Sequence, residues 1–251
     1  NLFSLEKKVA IITGAAKGNG RAIADGYVAA GAIVYCLDIS IDETSPVHPI
    51  QELHMARFIR ADVTNTDRMA EVVERIYSNE KRIDVLVNNA GITLPEASDY
   101  YSDDKWYQTY LVNLDAPFKL SKLVARYMIQ QTGGSIINIT SLAAELGFPD
   151  NPAYVAFKGG LKQLSKALAK DWAKYSIRVN NLGPGYFKTE MTKKSWENIA
   201  SREARSNKTL LGRWGEGDDL VGPAIFLASD ASKYMTGQDL YIDGGWLANG
   251  L

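Results

Sequence analysis

A tyrosine and a lysine stand four residues apart in a stretch with helical periodicity. Tyr154 and Lys158 therefore share one face of the predicted helix. A tyrosine hydroxyl has a pKa of about 10, so it serves as a base at neutral pH only where its surroundings lower that pKa. A neighbouring ammonium stabilises the phenolate and has this effect. The pair predicts proton transfer at a substrate hydroxyl, and an ordinary amphipathic helix is the alternative.

Two other polar side chains could join this pair. Ser141 follows a predicted strand, 13 residues before Tyr154, and its hydroxyl could bind a substrate oxygen and stabilise charge that develops there. Thr140 beside it has similar chemistry. Asn113 lies in an otherwise apolar stretch, where an amide side chain is unfavourable in a helix. It predicts a buried amide that satisfies backbone groups or a residue of the site, and these interpretations are compatible.

A glycine-rich loop follows the first predicted strand and precedes a helical pattern. Its spacing is G-x-x-x-G-x-G, which differs from the G-x-G-x-x-G of the common dinucleotide fingerprint. Glycines let the backbone turn sharply, and the start of a helix offers N–H groups and a positive dipole end to a pyrophosphate. A plain strand-to-helix turn would need similar glycines. The phosphate interpretation predicts ligand contacts from Gly14, Lys17, Gly18, Asn19 and Gly20.

Short apolar runs alternate with amphipathic stretches along the whole chain, with no repeat or linker between them. The predicted strands are Val9–Thr13, Ile33–Asp38, Arg57–Ala61, Val85–Asn88, Ser135–Thr140, Arg178–Leu182 and Leu240–Ile242. The predicted helices are Arg21–Ala30, Thr66–Ser78, Lys105–Gln130, Tyr154–Lys174 and Asp218–Leu227. This alternation predicts one α/β domain over residues 1–251, a single doubly wound parallel sheet of about seven strands with helices on both faces. Functional residues should then cluster at the carboxyl ends of the strands.

Together these motifs resemble those of the short-chain dehydrogenase/reductase family. The loop Thr13-Gly14-x-x-x-Gly18-x-Gly20 is similar to the family's cofactor loop, although Asn19 stands where the family usually has an apolar residue. The other matching motifs are Asn88-Asn89-Ala90-Gly91, Asn113, Ser141, Tyr154-x-x-x-Lys158 and Pro184-Gly185 with Thr189. The resemblance covers essentially the whole chain. It implies a Rossmann-type fold and an NAD(P)-dependent oxidoreductase that interconverts a secondary alcohol and a ketone by hydride transfer.

The resemblance also implies roles for individual residues. Tyr154 would be the general base, Ser141 would hold the substrate oxygen, and Lys158 would tune Tyr154 and orient the nicotinamide ribose. Asn113 would bend its helix and maintain proton exchange through water. Further cofactor contacts are implied for Asp62, Val63, Asn89, Ala90, Gly91, Pro184, Gly185, Phe187 and Thr189. For Asp62, an N-cap near Thr64 is the alternative to a contact with adenine.

The residues after the second predicted strand bear on the choice of cofactor. Asp38 ends that strand, where a carboxylate can accept hydrogen bonds from ribose hydroxyls and would repel a 2′-phosphate. The segment Ile39–Ala56 contains no lysine or arginine to pair with such a phosphate. Asp38 therefore favours NAD, with NADP as the alternative, because relatives that prefer NADP often carry a basic residue where Lys17 stands. Pro46 and Pro49 predict an irregular or shortened helix in the same segment.

Residues 186–212 would form the substrate lid by the same resemblance, and they carry many charges. The basic residues near it that could attract an anionic substrate are Lys188, Lys193, Lys194 and Arg213. A solvated charged surface is the simpler interpretation of them. Apolar walls could come from Met191, Trp196 and Trp214, and a second wall from Leu142–Asn151 with Glu145 and Asn151 as polar contacts.

The segments Leu211–Gly215 and Tyr241–Trp246 resemble sugar-acid and polyol members of the family, including gluconate 5-dehydrogenases. This predicts a sugar, sugar acid or polyol as substrate. A 3-oxoacyl-thioester reductase is the main alternative, and hydroxysteroid oxidation is a third. A catalytically silent nucleotide-binding or scaffold protein belongs to another class, which Tyr154 and Lys158 argue against. The family commonly assembles through its long helices, so a homotetramer is expected.

Composition restricts the remaining function classes. The 28 Lys and Arg nearly balance the 29 Asp and Glu among 251 residues, which argues against a nucleic-acid surface. The single cysteine, Cys36, excludes an internal disulfide, and His48 and His54 lack metal-ligand spacing, so no metal is expected. No apolar run approaches the roughly 20 residues of a membrane span. We therefore expect no membrane partner and a cytoplasmic location.

Overall fold

The described residues form one sheet of seven parallel strands, in the order β3-β2-β1-β4-β5-β6-β7. The computed structural model describes residues 1–41 and 55–249. The strands are β1 (Val9–Thr13), β2 (Ile33–Asp38), β3 (Ala56–Arg60), β4 (Val85–Asn88), β5 (Gly134–Ile139), β6 (Ile177–Pro184) and β7 (Asp239–Ile242). Strand order reverses between β1 and β4, which is the switch point of a doubly wound sheet. The predicted Rossmann-type α/β fold is confirmed.

Helices cover both faces of this sheet. The α-helices within the described ranges are α1 (Gly18–Ala29), α2 (Thr66–Glu80), α3 (Asp103–Tyr110), α4 (Ala116–Gln130), α5 (Pro152–Trp172), α6 (Lys193–Glu197), α7 (Ile199–Ser206) and α8 (Gly217–Ala228). On one face, Ile12 packs in a core with Ala24 of α1 and Leu220 of α8. On the other, Ile11 packs in a second core with side chains of α2, α4 and α5, including Val124. Strands buried on both faces explain their continuous apolar sequences.

The predicted helical stretch Lys105–Gln130 is helical throughout, but it is not one regular α-helix, because a π-helical turn over Leu111–Asp115 joins α3 to α4. Asn113 lies in this turn and is fully buried. Its Oδ1 accepts a hydrogen bond from the Ile92 N–H at 2.9 Å, and its Nδ2 donates to the Ile92 carbonyl at 2.8 Å. A π-turn admits one extra residue and often marks a functional position. The helix is therefore widened where Asn113 binds a neighbouring loop.

The other helix ends differ from the predicted ones by at most three residues. The largest difference concerns α1, which begins at Gly18 rather than Arg21, so part of the glycine-rich loop is already helical. The predicted irregular segment Ile39–Ala56 lies mostly outside the described residues. Neither α6 nor α7, in residues 186–212, is evident from the sequence. Over residues 1–41 and 55–249, no helix is long and apolar enough to cross a membrane.

Candidate active site

The glycine-rich loop bends closely over the end of β4. Gly14 has φ +64° and Gly18 has φ +58°, in the left-handed region that favours glycine. A Cβ on Gly14 would lie 2.9 Å from both Ala90 Cα and Asn89 Nδ2, and one on Gly20 would overlap the same amide. Within the described chain, no side chain caps the start of α1. Its first N–H groups therefore remain for an anion.

We expect Gly14→Ala to destabilise the protein more than Gly212→Ala does. The two glycines have similar φ values, +64° and +66°, so alanine meets similar backbone strain at each. At Gly14 the added methyl group also presses on Ala90 Cα, whereas no described atom lies within 4 Å of the corresponding position at Gly212. Overpacking of this kind costs about 1–3 kcal/mol, and urea unfolding of the two variants measures the difference. Equal losses in both would contradict the packing argument.

Asn89 and Thr13 fasten the glycine-rich loop to β4. Asn89 Nδ2 donates to the carbonyl oxygens of Thr13 and Gly14, both at 3.0 Å. Thr13 Oγ1 accepts from the N–H groups of Asn89 and Ala90, also at 3.0 Å. The Asn89 amide donor is therefore committed to the backbone. Asn89 therefore acts on a ligand indirectly, by holding the loop in place. Ala90 lies directly against Gly14.

Asn88 begins a chain of polar side chains that crosses the sheet below the site. Asn88 Nδ2 donates to Asn138 Oδ1 at 2.8 Å, and Asn138 Nδ2 donates to Ser165 Oγ at 2.8 Å. Ser165 Oγ in turn contacts Asn181 Oδ1 at 2.6 Å, and Asn181 Nδ2 donates to Asp239 Oδ1 at 2.7 Å. Buried polar groups need such partners. The chain fixes α5, through Ser165, relative to four neighbouring strands.

Asp38 ends β2 against the glycine-rich loop, as the sequence predicts. Its Oδ2 accepts a hydrogen bond from the Ala16 N–H at 3.1 Å. Its Oδ1 accepts from the N–H and the hydroxyl of Ser40, at 2.9 and 2.8 Å. Lys17 is exposed in the adjoining loop. The acidic and the basic residue that argue for different cofactors thus lie at the same end of the site.

Asp62 and Val63 follow β3 at the same edge of the sheet. Asp62 is exposed and holds a turn, because its Oδ1 accepts from the N–H and the hydroxyl of Thr64 at 2.9 and 2.8 Å. Val63 is half-buried. The helix cap expected near Thr64 is made one residue later, by Asn65, which accepts from the Arg68 N–H at 3.0 Å.

Tyr154, Ser141 and Lys158 meet beyond the carboxyl end of β5. Tyr154 and Lys158 are one turn apart on α5, and Lys158 Nζ lies 5.8 Å from the centre of the Tyr154 ring. The Ser141 side chain is close enough to the Tyr154 hydroxyl to lower its pKa. Its Oγ also accepts from the Ala143 N–H at 3.2 Å, which holds the serine in place. The structure therefore brings these three predicted side chains together.

Lys158 lies in the protein interior, close to Asn113. Its ammonium donates to the Ile139 carbonyl at 2.6 Å. A Cβ on Gly91 would lie 3.6 Å from Lys158 Nζ and 3.3 Å from Asn113 Oδ1, so both polar atoms approach the same glycine. Asn113 is thus a buried amide that satisfies backbone groups, and it is also a neighbour of the lysine.

The pKa values of this group differ in part from the expectation. Burial raises the pKa of Tyr154, as does the Tyr186 hydroxyl, while the Ser141 hydrogen bond lowers it. Burial lowers the pKa of Lys158 to about 8. The net shift of the Tyr154 pKa is upward, and Lys158 is not among its causes, because the Lys158 ammonium donates to the Ile139 carbonyl. Tyr154 needs further positive charge nearby to become a base.

The segment after β6 bends over the site. Pro184 ends β6, and the Gly185 N–H donates to the last carbonyl of β7 at 2.9 Å. The Phe187 ring is buried in the core, so only its backbone can face a ligand. Thr189 reaches back to the glycine-rich loop, since its Cγ2 lies 3.6 Å from the position of a Cβ on Gly18. Gly185 and Thr189 thus adjoin the predicted cofactor path.

Aromatic rings pack together beneath residues 186–212. The Tyr186 ring centre lies 4.9 Å from that of Trp246 and 5.3 Å from that of Trp214. Trp196 lies 5.5 Å from Trp214, whose indole is buried. Trp196 and Trp214 therefore pack in an aromatic cluster, whereas Met191 is exposed.

Several charged candidates for substrate contact are paired with other protein groups. Lys188 pairs with Glu216 at 2.5 Å, Lys193 with Glu190 at 3.7 Å, and Arg213 with Asp219 at 2.7 Å. Glu145 pairs with Lys162 and accepts from the Tyr241 hydroxyl. Asn151 exchanges hydrogen bonds with Thr93. The solvated-surface interpretation therefore fits Lys188, Lys193 and Arg213, and Lys194 is simply exposed.

Two residues near Tyr154 carry no clear sequence signal. Tyr186 is close enough to Tyr154 to raise its pKa. Arg205 of α7 lies over the Tyr186 ring, with its Cζ 4.8 Å from the ring centre. Both belong to a segment without regular periodicity, in which the sequence showed only a high density of charged residues.

The chain has close relatives in sequence and in fold. Residues 14–247 match a family model described as enoyl-(acyl carrier protein) reductase. The 5-keto-D-gluconate 5-reductase of Escherichia coli K12 is 37% identical, covering 98% of each chain. The 2-dehydro-3-deoxy-D-gluconate 5-dehydrogenase of Dickeya dadantii is also 37% identical, covering 99% of this chain and 98% of the relative. A gluconate 5-dehydrogenase structure from Burkholderia cenocepacia J2315, in complex with NADP and tartrate, has a TM-score of 0.93 and 36% identity, covering 98% of both chains.

These relatives span almost the whole chain, as do the motifs. The glycine-rich loop, the group around Tyr154 and the bend after β6 lie at one edge of the parallel sheet, where such folds bind ligands. The chain belongs to the short-chain dehydrogenase/reductase family and is an NAD(P)-dependent oxidoreductase that acts on CH–OH groups.

Proposed function

We propose that the chain interconverts a secondary alcohol of a sugar acid and the corresponding ketone, with Tyr154 as the group that accepts and returns the proton. The observation that carries this proposal is that Tyr154, Ser141 and the Lys158 ammonium lie together beyond the carboxyl end of β5. Alcohol oxidation needs a positioned proton acceptor and a donor to the substrate oxygen. The names of the Escherichia and Dickeya relatives support a sugar acid as the substrate.

Each side chain has one task in this proposal. In oxidation, Tyr154 Oη accepts the proton of the substrate hydroxyl, and in reduction it returns that proton. Ser141 Oγ holds the substrate oxygen against Tyr154. Lys158 orients the nicotinamide ribose and adds positive charge near the phenolate, and Asn113 supports proton exchange from Lys158 through water. The dinucleotide, when bound, takes up or supplies the hydride.

The glycine-rich loop fits a dinucleotide. Gly14 and Gly20 let the loop pack tightly against Asn89 and Ala90, and the start of α1 presents uncapped N–H groups. Asn19 Oδ1 is buried and has no hydrogen-bond partner among the described residues, which suits a polar ligand at this loop. Gly18 and Lys17 complete the loop, and Thr189 closes it from the opposite side.

NAD is the proposed preferred form of the cofactor. The Asp38 carboxylate lies against the loop and can accept hydrogen bonds from ribose hydroxyls, while its charge repels a 2′-phosphate. Lys17 and the NADP of the Burkholderia relative point the other way. A direct comparison of the two cofactors therefore decides the preference.

We expect Asp38→Asn to lower the ratio of kcat/KM with NAD to kcat/KM with NADP by about ten- to a hundredfold, because it removes a like-charge contact with the 2′-phosphate. The amide oxygen can still accept from Ser40, but the amide nitrogen cannot accept from the Ala16 N–H, so one contact with the glycine-rich loop is lost. This loss affects both cofactors alike and cancels in the ratio. Asp62→Asn is the matched control, since adenine is common to both cofactors and the ratio should not change. Initial rates with both cofactors measure the effect. An unchanged ratio in Asp38→Asn, or a wild type that prefers NADP, contradicts the assignment.

A 3-oxoacyl-thioester reductase is the second candidate, because the matching family model is described as an acyl carrier protein reductase. The absorbance of reduced nicotinamide can be followed with D-gluconate, 5-keto-D-gluconate, uncharged polyols and a 3-oxoacyl thioester. The highest kcat/KM is expected for the sugar acids. Turnover of the thioester alone would establish the second candidate. Cofactor binding without any turnover would support a nucleotide-binding protein instead.

Three further properties belong to the proposal. Residues 186–212 form a lid over the substrate, within a single domain spanning residues 1–251.

A homotetramer is supported by the exposed apolar side chains of Trp106 and Tyr107 on α3 and Phe118 on α4. Light scattering measures the assembly, and a monomer would contradict it. A cytoplasmic location fits Cys36, a buried thiol whose pKa burial raises to about 12.

A further inference from the structure

Arg205 occupies an unusual position for a cation in this protein. It lies on α7, half-buried, with its guanidinium over the Tyr186 ring at 4.8 Å. Among residues 1–41 and 55–249, no carboxylate lies within ion-pair distance of it. Lys188 and Arg213, near the same segment, each have such a partner. A half-buried arginine without a counter-ion is a candidate ligand for an anion.

The donors of Arg205 are only partly used. Its Nη1 donates to the carbonyl oxygen of Ser201 at 3.2 Å and to the Ser201 hydroxyl. These bonds anchor the guanidinium to its own helix. Its Nε is buried and has no hydrogen-bond partner within the described chain. The edge formed by Nε and Nη2 therefore has no partner among the described residues, and such a planar edge can donate two parallel hydrogen bonds to a carboxylate.

Tyr186 contacts the Arg205 guanidinium and lies near Tyr154. Tyr186 directly follows the bend after β6, and its ring centre lies 6.3 Å from that of Phe148, in the segment that follows Ser141. Its hydroxyl is close enough to Tyr154 to raise the pKa of that residue. Tyr186 thus contacts Arg205 through its ring and lies near Tyr154 with its hydroxyl.

We propose that Arg205 is a specificity-determining residue that binds the carboxylate of the sugar acid through its Nε and Nη2 edge. This inference rests on the proposed function and adds the group that recognises the acid. An elongated substrate with a carboxylate at one end and a secondary alcohol further along would reach both Arg205 and Tyr154. A buried, unpaired N–H is unfavourable, so the carboxylate also satisfies a donor that the protein leaves without a partner.

D-Gluconate and D-glucitol test this assignment, because they differ only in the carboxylate or the CH2OH group at one end. We expect Arg205→Gln to lower kcat/KM for D-gluconate by about a hundredfold, the loss of a charged bidentate contact. The value for D-glucitol should stay within about twofold. Arg205→Lys should be intermediate, because lysine keeps the charge but not the planar edge.

Arg202→Gln is the matched control. Arg202 lies on the same helix, but its guanidinium lies over the Trp196 ring, 5.1 Å from the ring centre, and not over Tyr186. It should leave both substrates unaffected. Equal losses on both substrates in Arg205→Gln, or no loss on D-gluconate, would overturn the role of Arg205 while leaving the proposed function intact. A wild type that prefers D-glucitol, or acts on neither compound, would show that the substrate class is wrong, and the carboxylate assignment would fail with it.

Discussion

Tyr154→Phe should lower kcat for the alcohol–ketone reaction by about 10³-fold, within the range expected for loss of a general acid–base group. The substitution removes one hydroxyl and keeps the ring. Ser141 retains its hydrogen bond from the Ala143 N–H, so the surrounding loop should not move. Cofactor binding, measured by fluorescence quenching, should therefore be preserved. A large loss of kcat with unchanged binding would place the effect in proton transfer.

The pH dependence gives the same variant a second readout. The base form of Tyr154 becomes more abundant as pH rises. Because burial raises the pKa of Tyr154, this increase continues above neutral pH. Oxidation should therefore accelerate with rising pH and reduction should slow, and Tyr154→Phe should lose both slopes. Tyr234→Phe is the control, because that side chain is fully exposed. A loss of less than about tenfold in Tyr154→Phe would exclude Tyr154 as the proton acceptor.

Lys158→Met should lower kcat by about 10²- to 10³-fold and raise the KM for the cofactor. The ammonium is buried beside Tyr154 and near Gly91, where it can meet the nicotinamide ribose and support the phenolate. Methionine fills a similar volume without charge. Lys170→Met is the control, because Lys170 is exposed on the same helix. Unchanged cofactor KM and kcat would remove Lys158 from the proposed mechanism.

The same variant predicts a change in stability with pH. Burial lowers the pKa of Lys158 from 10.5 to about 8. Between these values the unfolded chain holds a proton that the folded chain has lost, so the free energy of unfolding rises with pH through this lysine. The rise amounts to about 3 kcal/mol over the interval. Lys158→Met should lack this rise. Urea unfolding of the wild type and the variant at pH 8 and pH 10 measures it. An equal change in the free energy of unfolding in the two proteins would contradict the burial of the lysine charge.

The elements of the fold follow from the sequence where local patterns decide them. The bounds of β1, β2 and β4 match the predicted ones, because each is a buried apolar run ended by a glycine-rich turn or a polar residue. The bend around Asn113 follows from the family resemblance and not from local patterns, since it depends on hydrogen bonds to Ile92, 21 residues earlier. Helices α6 and α7 depend on tertiary contacts such as Lys188 over Trp196.

Some residues of the candidate site could also be predicted from the sequence, and others could not. Tyr154 and Lys158 follow from helical spacing, and Ser141 and the glycine-rich loop from their places after strands. The direction of the pKa shift of Tyr154 did not follow, because burial and the neighbouring Tyr186 are set by distant parts of the chain. The role of Arg205 could not be predicted either, because its surroundings are set by distant parts of the chain. Its unpaired Nε and its contact with Tyr186 exist only in the folded protein.

The most direct test of the central claim follows the hydride itself. Wild type and Tyr154→Phe are incubated with 5-keto-D-gluconate and reduced cofactor carrying deuterium at nicotinamide C4, on the face that is transferred. We predict that the wild type forms an alcohol with one deuterium on the former carbonyl carbon, detected by mass spectrometry, and that the variant forms almost none. A product without deuterium, or equal product from the variant, would contradict hydride transfer coupled to proton transfer by Tyr154.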